Sequence, residues 1–182
     1  MRWLVFSIFA YALLAAQVGL RSLVSVGDVS PQFLLILAVY VGLMAPSAVV
    51  PWALLVLGLL VDLAPGNAHG LSLVGPAALG YLAGAYAVLQ LRTLVFRQSV
   101  ITLTALVLVA GVFVHLVIVA LLTVRGVPWP LGEPVPGWSA ADQLVQRFLS
   151  LLYTAVWAMP VGVVLFRTTP LWGFAGKSRG PA

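Results

Sequence analysis

Between Ser99 and Val124 no residue carries a formal charge, and His115 is the one titratable side chain in the run. A stretch of this length and character is what a helix needs to cross a bilayer, for which about 20 consecutive apolar residues suffice. The rest of the chain follows suit. Only 7% of residues are charged, against 63% hydrophobic, and the mean hydropathy is +1.15. Soluble domains carry about 25% charged residues. Four acids and nine bases cannot cover a water-facing surface for 182 residues. The chain reads as a multi-pass membrane protein whose surroundings are lipid.

Six apolar segments are expected, within a single transmembrane unit spanning residues 1–182. They run from about Trp3 to Leu20, Pro31 to Ala45, Val49 to Leu63, Leu71 to Leu91, Ser99 to Val124 and Gln143 to Phe166. The fold class is thus all-α, a six-helix transmembrane bundle. Segments two and three fall short of a full span, so five spans, or four plus a re-entrant pair, stay open as alternatives. Met1-Arg2-Trp3 has the look of a signal peptide, but no convincing small-x-small site follows, and it is taken as a retained helix.

The bases lie at segment ends and form no patch for nucleic acid; they act better as topology signals. With six spans and an inner N-terminus, Arg2, Arg92, Arg97, Arg167, Lys177 and Arg179 fall inside, and Arg21, Arg125 and Arg147 fall on or near the outer side. Both termini are then cytoplasmic, and Asp62, His69 and the loop from Arg125 to Asp142 face outward. That loop holds four prolines with Trp129 and Trp138, and should lie along the membrane surface. The tail after Phe166 is expected to be mobile or interfacial.

Asp62 is the costly residue. It closes the third segment in Gly58-Leu-Leu-Val-Asp62-Leu-Ala-Pro65-Gly66-Asn67-Ala-His69-Gly70. An acid at membrane depth costs about 2.5–3.5 kcal/mol on insertion scales, and at a helix C-terminus it faces the wrong end of the macrodipole. Pro65-Gly66 suits a type II turn. Two readings stay open: the carboxylate staples its own loop through N–H groups of that turn, or it docks a partner. One Asp and one His seven residues apart are too few for a metal site.

Gly80-Tyr-Leu-Ala-Gly84 is a small-xxx-small match that lets backbones approach in lipid; Ala12 and Ala16 form a weaker one. Either internal packing or a face for another subunit satisfies the pattern. His115 is expected to bond a neighbouring carbonyl. No nucleophile–base pair, phosphate loop or carboxylate dyad is present, there is no cysteine, and the chain is read as neither an enzyme nor a cofactor protein.

The run Pro31-Gln-Phe-Leu-Leu-Ile-Leu-Ala-Val-Tyr40-Val-Gly, then Gly58-Leu-Leu-Val-Asp62-Leu, then Pro65-Gly66 and Gly70-Leu, resembles the MreD family of rod shape-determining membrane proteins. Gln32 departs from it, standing where the family often has an acid. The resemblance covers Pro31 to Leu91 in motif and the remainder in hydropathy. It implies a non-catalytic scaffold of the bacterial inner membrane, in contact with membrane lipid. Such a scaffold links MreC, and indirectly the actin-like MreB, to RodA and its penicillin-binding protein in peptidoglycan synthesis by the elongasome. The positions it marks for partner binding are Pro31, Tyr40, Gly58, Asp62, Gly66 and Gly70, to which the glycine pair Gly80 and Gly84 is added. The alternative is the substrate-binding component of an energy-coupling-factor vitamin transporter, a similar six-helix fold. A vitamin site needs several convergent polar groups, and Asp62, Asn67, His69 and Trp138 offer few.

Overall fold

The computed structural model describes residues 1–25, 29–64, 75–94, 99–126 and 139–174. Among the described residues the chain is all-helical. The elements are α1 (Trp3–Gly19), α2 (Arg21–Val24), α3 (Phe33–Met44), α4 (Val50–Leu63), α5 (Pro76–Leu91), α6 (Val100–Gly126), α7 (Ala140–Arg167) and α8 (Thr169–Trp172). Each of the six apolar runs holds one of the six longer helices. Proline opens α4 and α5 within the first turn, where a missing N–H leaves no bond unmade. Pro160 lies within α7, which continues through it.

The helices differ greatly in length. α6 and α7, of 27 and 28 residues, reach about 40 Å at 1.5 Å per residue. Among the described residues they are the two helices long and apolar enough to cross a membrane. By contrast α3 has 12 residues, or about 18 Å. It compensates by burial. Every residue from Phe33 to Leu43 is buried, and α3 touches α1, α4, α5, α6 and α7. A helix apolar on all sides belongs in a core, and α3 is the axis of this one.

Because α3 is surrounded, its ends cannot turn to solvent, and other helices supply the missing hydrogen bonds. At its start, the Gln32 N–H donates to Thr154 Oγ1 of α7 at 3.0 Å, and the Leu34 N–H donates to Gln17 Oε1 of α1 at 3.2 Å. At its finish, Arg92 Nη1 donates to the Ala45 carbonyl at 2.8 Å and to the Gly42 carbonyl at 3.4 Å. A cation at a helix C-terminus has the favourable sign for the macrodipole.

These bonds also order the ends of the bundle. The Arg2 N–H donates to the Trp172 carbonyl at 2.9 Å, so the start of α1 meets the end of α8. The end of α5 meets the end of α3 through Arg92, and Tyr40 near the end of α3 meets Thr169 of α8. Gly111 of α6 faces Leu151 of α7, while Gly162 of α7 faces Leu103 near the start of α6, which makes α6 and α7 antiparallel. The described Arg2, Arg92 and Arg167 collect at one end, and Asp62, Arg21 and Asp142 at the other.

The tail after Phe166 was expected to be mobile or interfacial; as far as Phe174 it is packed and not mobile. Trp172 is fully buried and stacks on Phe174 with ring centroids 5.5 Å apart. The rings of Phe9 and Tyr40 pack against those of this segment, so it behaves as core.

Candidate functional site

The α4–α5 corner is built around two residues one helical turn apart, Gly58 and Asp62. A Cβ on Gly58 would lie 2.5 Å from the Ala78 Cα and 2.8 Å from the Ala77 carbonyl oxygen. Nothing larger than glycine fits, and the two backbones touch there. That approach brings the start of α5 under the end of α4, within reach of the Asp62 carboxylate. Asp62 Oδ2 accepts from the Gly75 N–H at 2.8 Å and the Ala78 N–H at 3.1 Å, and Oδ1 accepts from the Ala77 N–H at 3.0 Å.

The donors are the N–H of Gly75, which introduces α5, and the first two N–H groups of α5 itself. Pro76, at the first helical position, has none to give, and Gly75 makes no side-chain cap of its own. Asp62 therefore caps α5 from the neighbouring helix, taking the donors an N-cap side chain ordinarily satisfies. Its charge, wrongly placed for α4, is well placed for the positive end of α5. Each hydrogen bond to a charged group contributes about 1.5–3 kcal/mol. Gly75 enters the corner with φ of +135°, a conformation open to glycine and strained for other residues.

This geometry adds to the expectation for Asp62. The carboxylate was read either as a staple of its own loop or as a dock for a partner; the donors described come from the next helix, thirteen to sixteen residues on, and the Pro65-Gly66 turn lies outside the described residues, as do Asn67, His69 and Gly70.

The remaining marked positions are distributed through the core. Pro31 is buried just before α3. Tyr40 is fully buried in the aromatic cluster, with ring centroids 5.6 Å from Phe166, 5.3 Å from Trp172 and 6.0 Å from Phe174. Its hydroxyl lies 2.9 Å from Thr169 Oγ1. Thr169 donates its own proton to the Phe166 carbonyl, which makes Tyr40 the donor. Gly80 and Gly84 face α6. A Cβ on Gly80 would lie 2.9 Å from the Val114 carbonyl oxygen, and one on Gly84 would lie 2.8 Å from Val114 Cγ2. The stripe read as a possible subunit face is covered within the chain.

His115 also departs from expectation. It is buried, and neither ring nitrogen has a partner among the described residues.

Sequence reasoning missed Arg92, Gln17 and Thr154 as caps of α3. Their signal was indirect. A helix as apolar as α3, introduced by Gln32 without a capping side chain, requires partners from elsewhere.

A family model for the rod shape-determining protein MreD matches residues 1–128. The chain belongs to the MreD family. No curated protein and no solved structure matches it. The MreD match spans α1 to α6, and so includes the Gly58–Asp62 corner, the buried Tyr40 and the Gly80–Gly84 contact with α6. Membership gives the chain a role in rod shape determination in a membrane-associated family of shape-determining proteins, which is not a known enzyme family.

Proposed function

We propose that this MreD protein is a six-pass scaffold of the inner membrane that joins MreC, and through it MreB, to the RodA–penicillin-binding-protein synthase. The layout is taken as similar to that of energy-coupling-factor substrate-binding components, used here for association. The observation that carries the reading is the corner at Asp62. A charged residue with three backbone bonds fixes the end of an otherwise apolar bundle, giving a partner a rigid surface. Preorganised surfaces bind with less ordering cost. Arg2, Arg92 and Arg167 at the opposite end support a cytoplasmic assignment of that face by the positive-inside rule. The Asp62 end, with α2, is then periplasmic.

The test is co-purification from native membranes with crosslinking and mass spectrometry. Recovery of MreC or RodA, with crosslinks near the α4–α5 corner, is the expected result. Recovery of an ATPase pair with a bound vitamin would replace the scaffold by the transporter component. A second assay compares Asp62→Asn with the parent at matched membrane levels, and unchanged recovery would confine Asp62 to its role inside the chain.

A further inference from the structure

The end of the bundle that holds Arg2, Arg92 and Arg167 has no acid among its described residues, since Asp62 and Asp142 both lie at the other end. The three arginines differ in what they do. Arg92 is spent on α3, donating to the Ala45 and Gly42 carbonyls. Arg2 and Arg167 are exposed, and among the described residues neither side chain makes a hydrogen bond or ion pair.

These two cations meet at α8. Arg167 ends α7, two residues before α8 begins. The Arg2 N–H donates to the Trp172 carbonyl at the far end of α8. A Cβ on Gly173, where φ is +61°, would lie 3.2 Å from Arg2 Cγ and 3.5 Å from its Nε. The Arg2 stem therefore runs along bare backbone just past that helix. α8 has four residues, or about 6 Å of helix, and the two cations flank it. Because Trp172 is buried in the core, α8 holds them in a fixed relation.

Their depth points to the molecule they fit. Arg167 closes the stretch Ala141–Arg167, 27 residues long and apolar enough to cross a membrane, so it stands at a boundary of the hydrocarbon. Trp3, beside Arg2, is 49% exposed, and tryptophan favours the same boundary. Within a turn of the arginines the surface is apolar, with Leu4 and Val164 both exposed. Cations level with a membrane surface and bordered by lipid-facing hydrocarbon match an anionic head carried on acyl chains. A guanidinium grips phosphate oxygens through paired N–H groups. A water-soluble acidic segment would satisfy the charges and leave the apolar side chains unmatched.

We infer that the seam of α1, α7 and α8 binds the phosphate of an anionic phospholipid between Arg2 and Arg167, with its acyl chains along Leu4 and Val164. Fixed donors bind with less ordering cost. The site requires only that this end of the bundle meets a leaflet surface, and it is independent of MreC, MreB and RodA.

The test is native mass spectrometry of the purified full chain from micelles holding equal amounts of dioleoyl phosphatidylglycerol and dioleoyl phosphatidylcholine. The acyl chains are identical, so a preference reports the head. The parent should retain phosphatidylglycerol over phosphatidylcholine. Arg2→Gln and Arg167→Gln should each lower that retention about fivefold, and the double variant about twenty-fivefold, as expected for basic side chains at an anionic surface. Arg21→Gln removes the same charge at the opposite end and should change nothing. Glycerol phosphate, which has the head without the chains, should not displace the lipid at equal concentration. A parent with no preference between the two lipids overturns the inference, whatever the variants do. Displacement by glycerol phosphate overturns it in favour of a free-phosphate site. Equal losses in Arg21→Gln, Arg2→Gln and Arg167→Gln would reduce it to net charge, and unchanged retention in the double variant would assign the cations to solvent or to a protein. The chain is alone in this assay, so its outcome is separate from recovery of MreC or RodA.

Discussion

Gly58 and Ala78 are in backbone contact: a Cβ on the glycine would lie 2.5 Å from the Ala78 Cα. The clash is with main chain, which cannot rotate aside. Gly58→Ala should therefore destabilise the protein by about 1–3 kcal/mol, the usual cost of overpacking a tight contact. The measurement is thermal unfolding in detergent. Gly19→Ala is the control, because nothing lies within 4 Å of its added Cβ, and Gly-to-Ala at an unstrained site is neutral or favourable. Equal melting temperatures for Gly58→Ala and the parent would refute the contact.

Asp62 should show a graded series. Asp62→Asn keeps one acceptor oxygen and loses the charge, whereas Asp62→Ala leaves the Gly75, Ala77 and Ala78 N–H groups without their carboxylate. Losing a cap costs about 0.5–2 kcal/mol, and the more buried the donors, the higher the cost. The expected order of stability is parent, then Asn, then Ala, with fraying read by hydrogen exchange at the start of α5. Uniform exchange across the series would show that Asp62 does not hold that helix.

The corner also shows what was legible beforehand. Asp62 stood out because an acid ending an apolar helix is energetically expensive, and Gly58, one turn earlier, shared its motif. The donors stayed hidden because they lie thirteen to sixteen residues away in sequence, and only the fold brings them near. The six apolar runs and the helical class were readable from hydropathy. The central place of α3 was readable only in outline, from its being apolar on every side. Tyr40 was marked by motif, yet its burial under Trp172 depends on a C-terminal segment whose glycines and proline suggested a loose tail. The Gly80–Gly84 pair was found, but spacing alone does not say which helix it meets.

Thr154 carries two bonds at the start of α3, accepting from the Gln32 N–H and donating to the Ser150 carbonyl at 2.6 Å. Thr154→Ser preserves both and should be close to the parent. Thr154→Val keeps the shape and orphans a part-buried donor, at a cost of about 1–3 kcal/mol. Thermal unfolding separates the pair, and a valine variant as stable as the serine one would remove Thr154 from the capping of α3.

Arg92 performs the matching task at the other end of α3. Arg92→Gln should lose the favourable pairing of a cation with that helix terminus, about 0.3–2 kcal/mol. If Arg92 also serves as a cytoplasmic topology signal, Arg92→Lys should preserve orientation while weakening the bond to Ala45. Topology reporters together with melting temperatures distinguish the two roles, and a lysine variant with full stability would show that charge alone suffices.

The absence of cysteine makes the six-pass topology directly testable. Single cysteines at Ser22, next to the end of α1, and at Ala141, near the start of α7, lie at the Asp62 end of the bundle. A cysteine at Thr93, after α5, lies at the Arg92 end. In intact cells a membrane-impermeant maleimide should label Ser22→Cys and Ala141→Cys and spare Thr93→Cys, which reacts only after permeabilisation. The short α3, α4 and α5 helices make this a demanding case, since the bundle must reach both surfaces although its central helices do not match the hydrocarbon thickness. Labelling of Thr93→Cys in intact cells would remove one crossing between α2 and α5 and reverse the assignment of the Arg92 end to the cytoplasm.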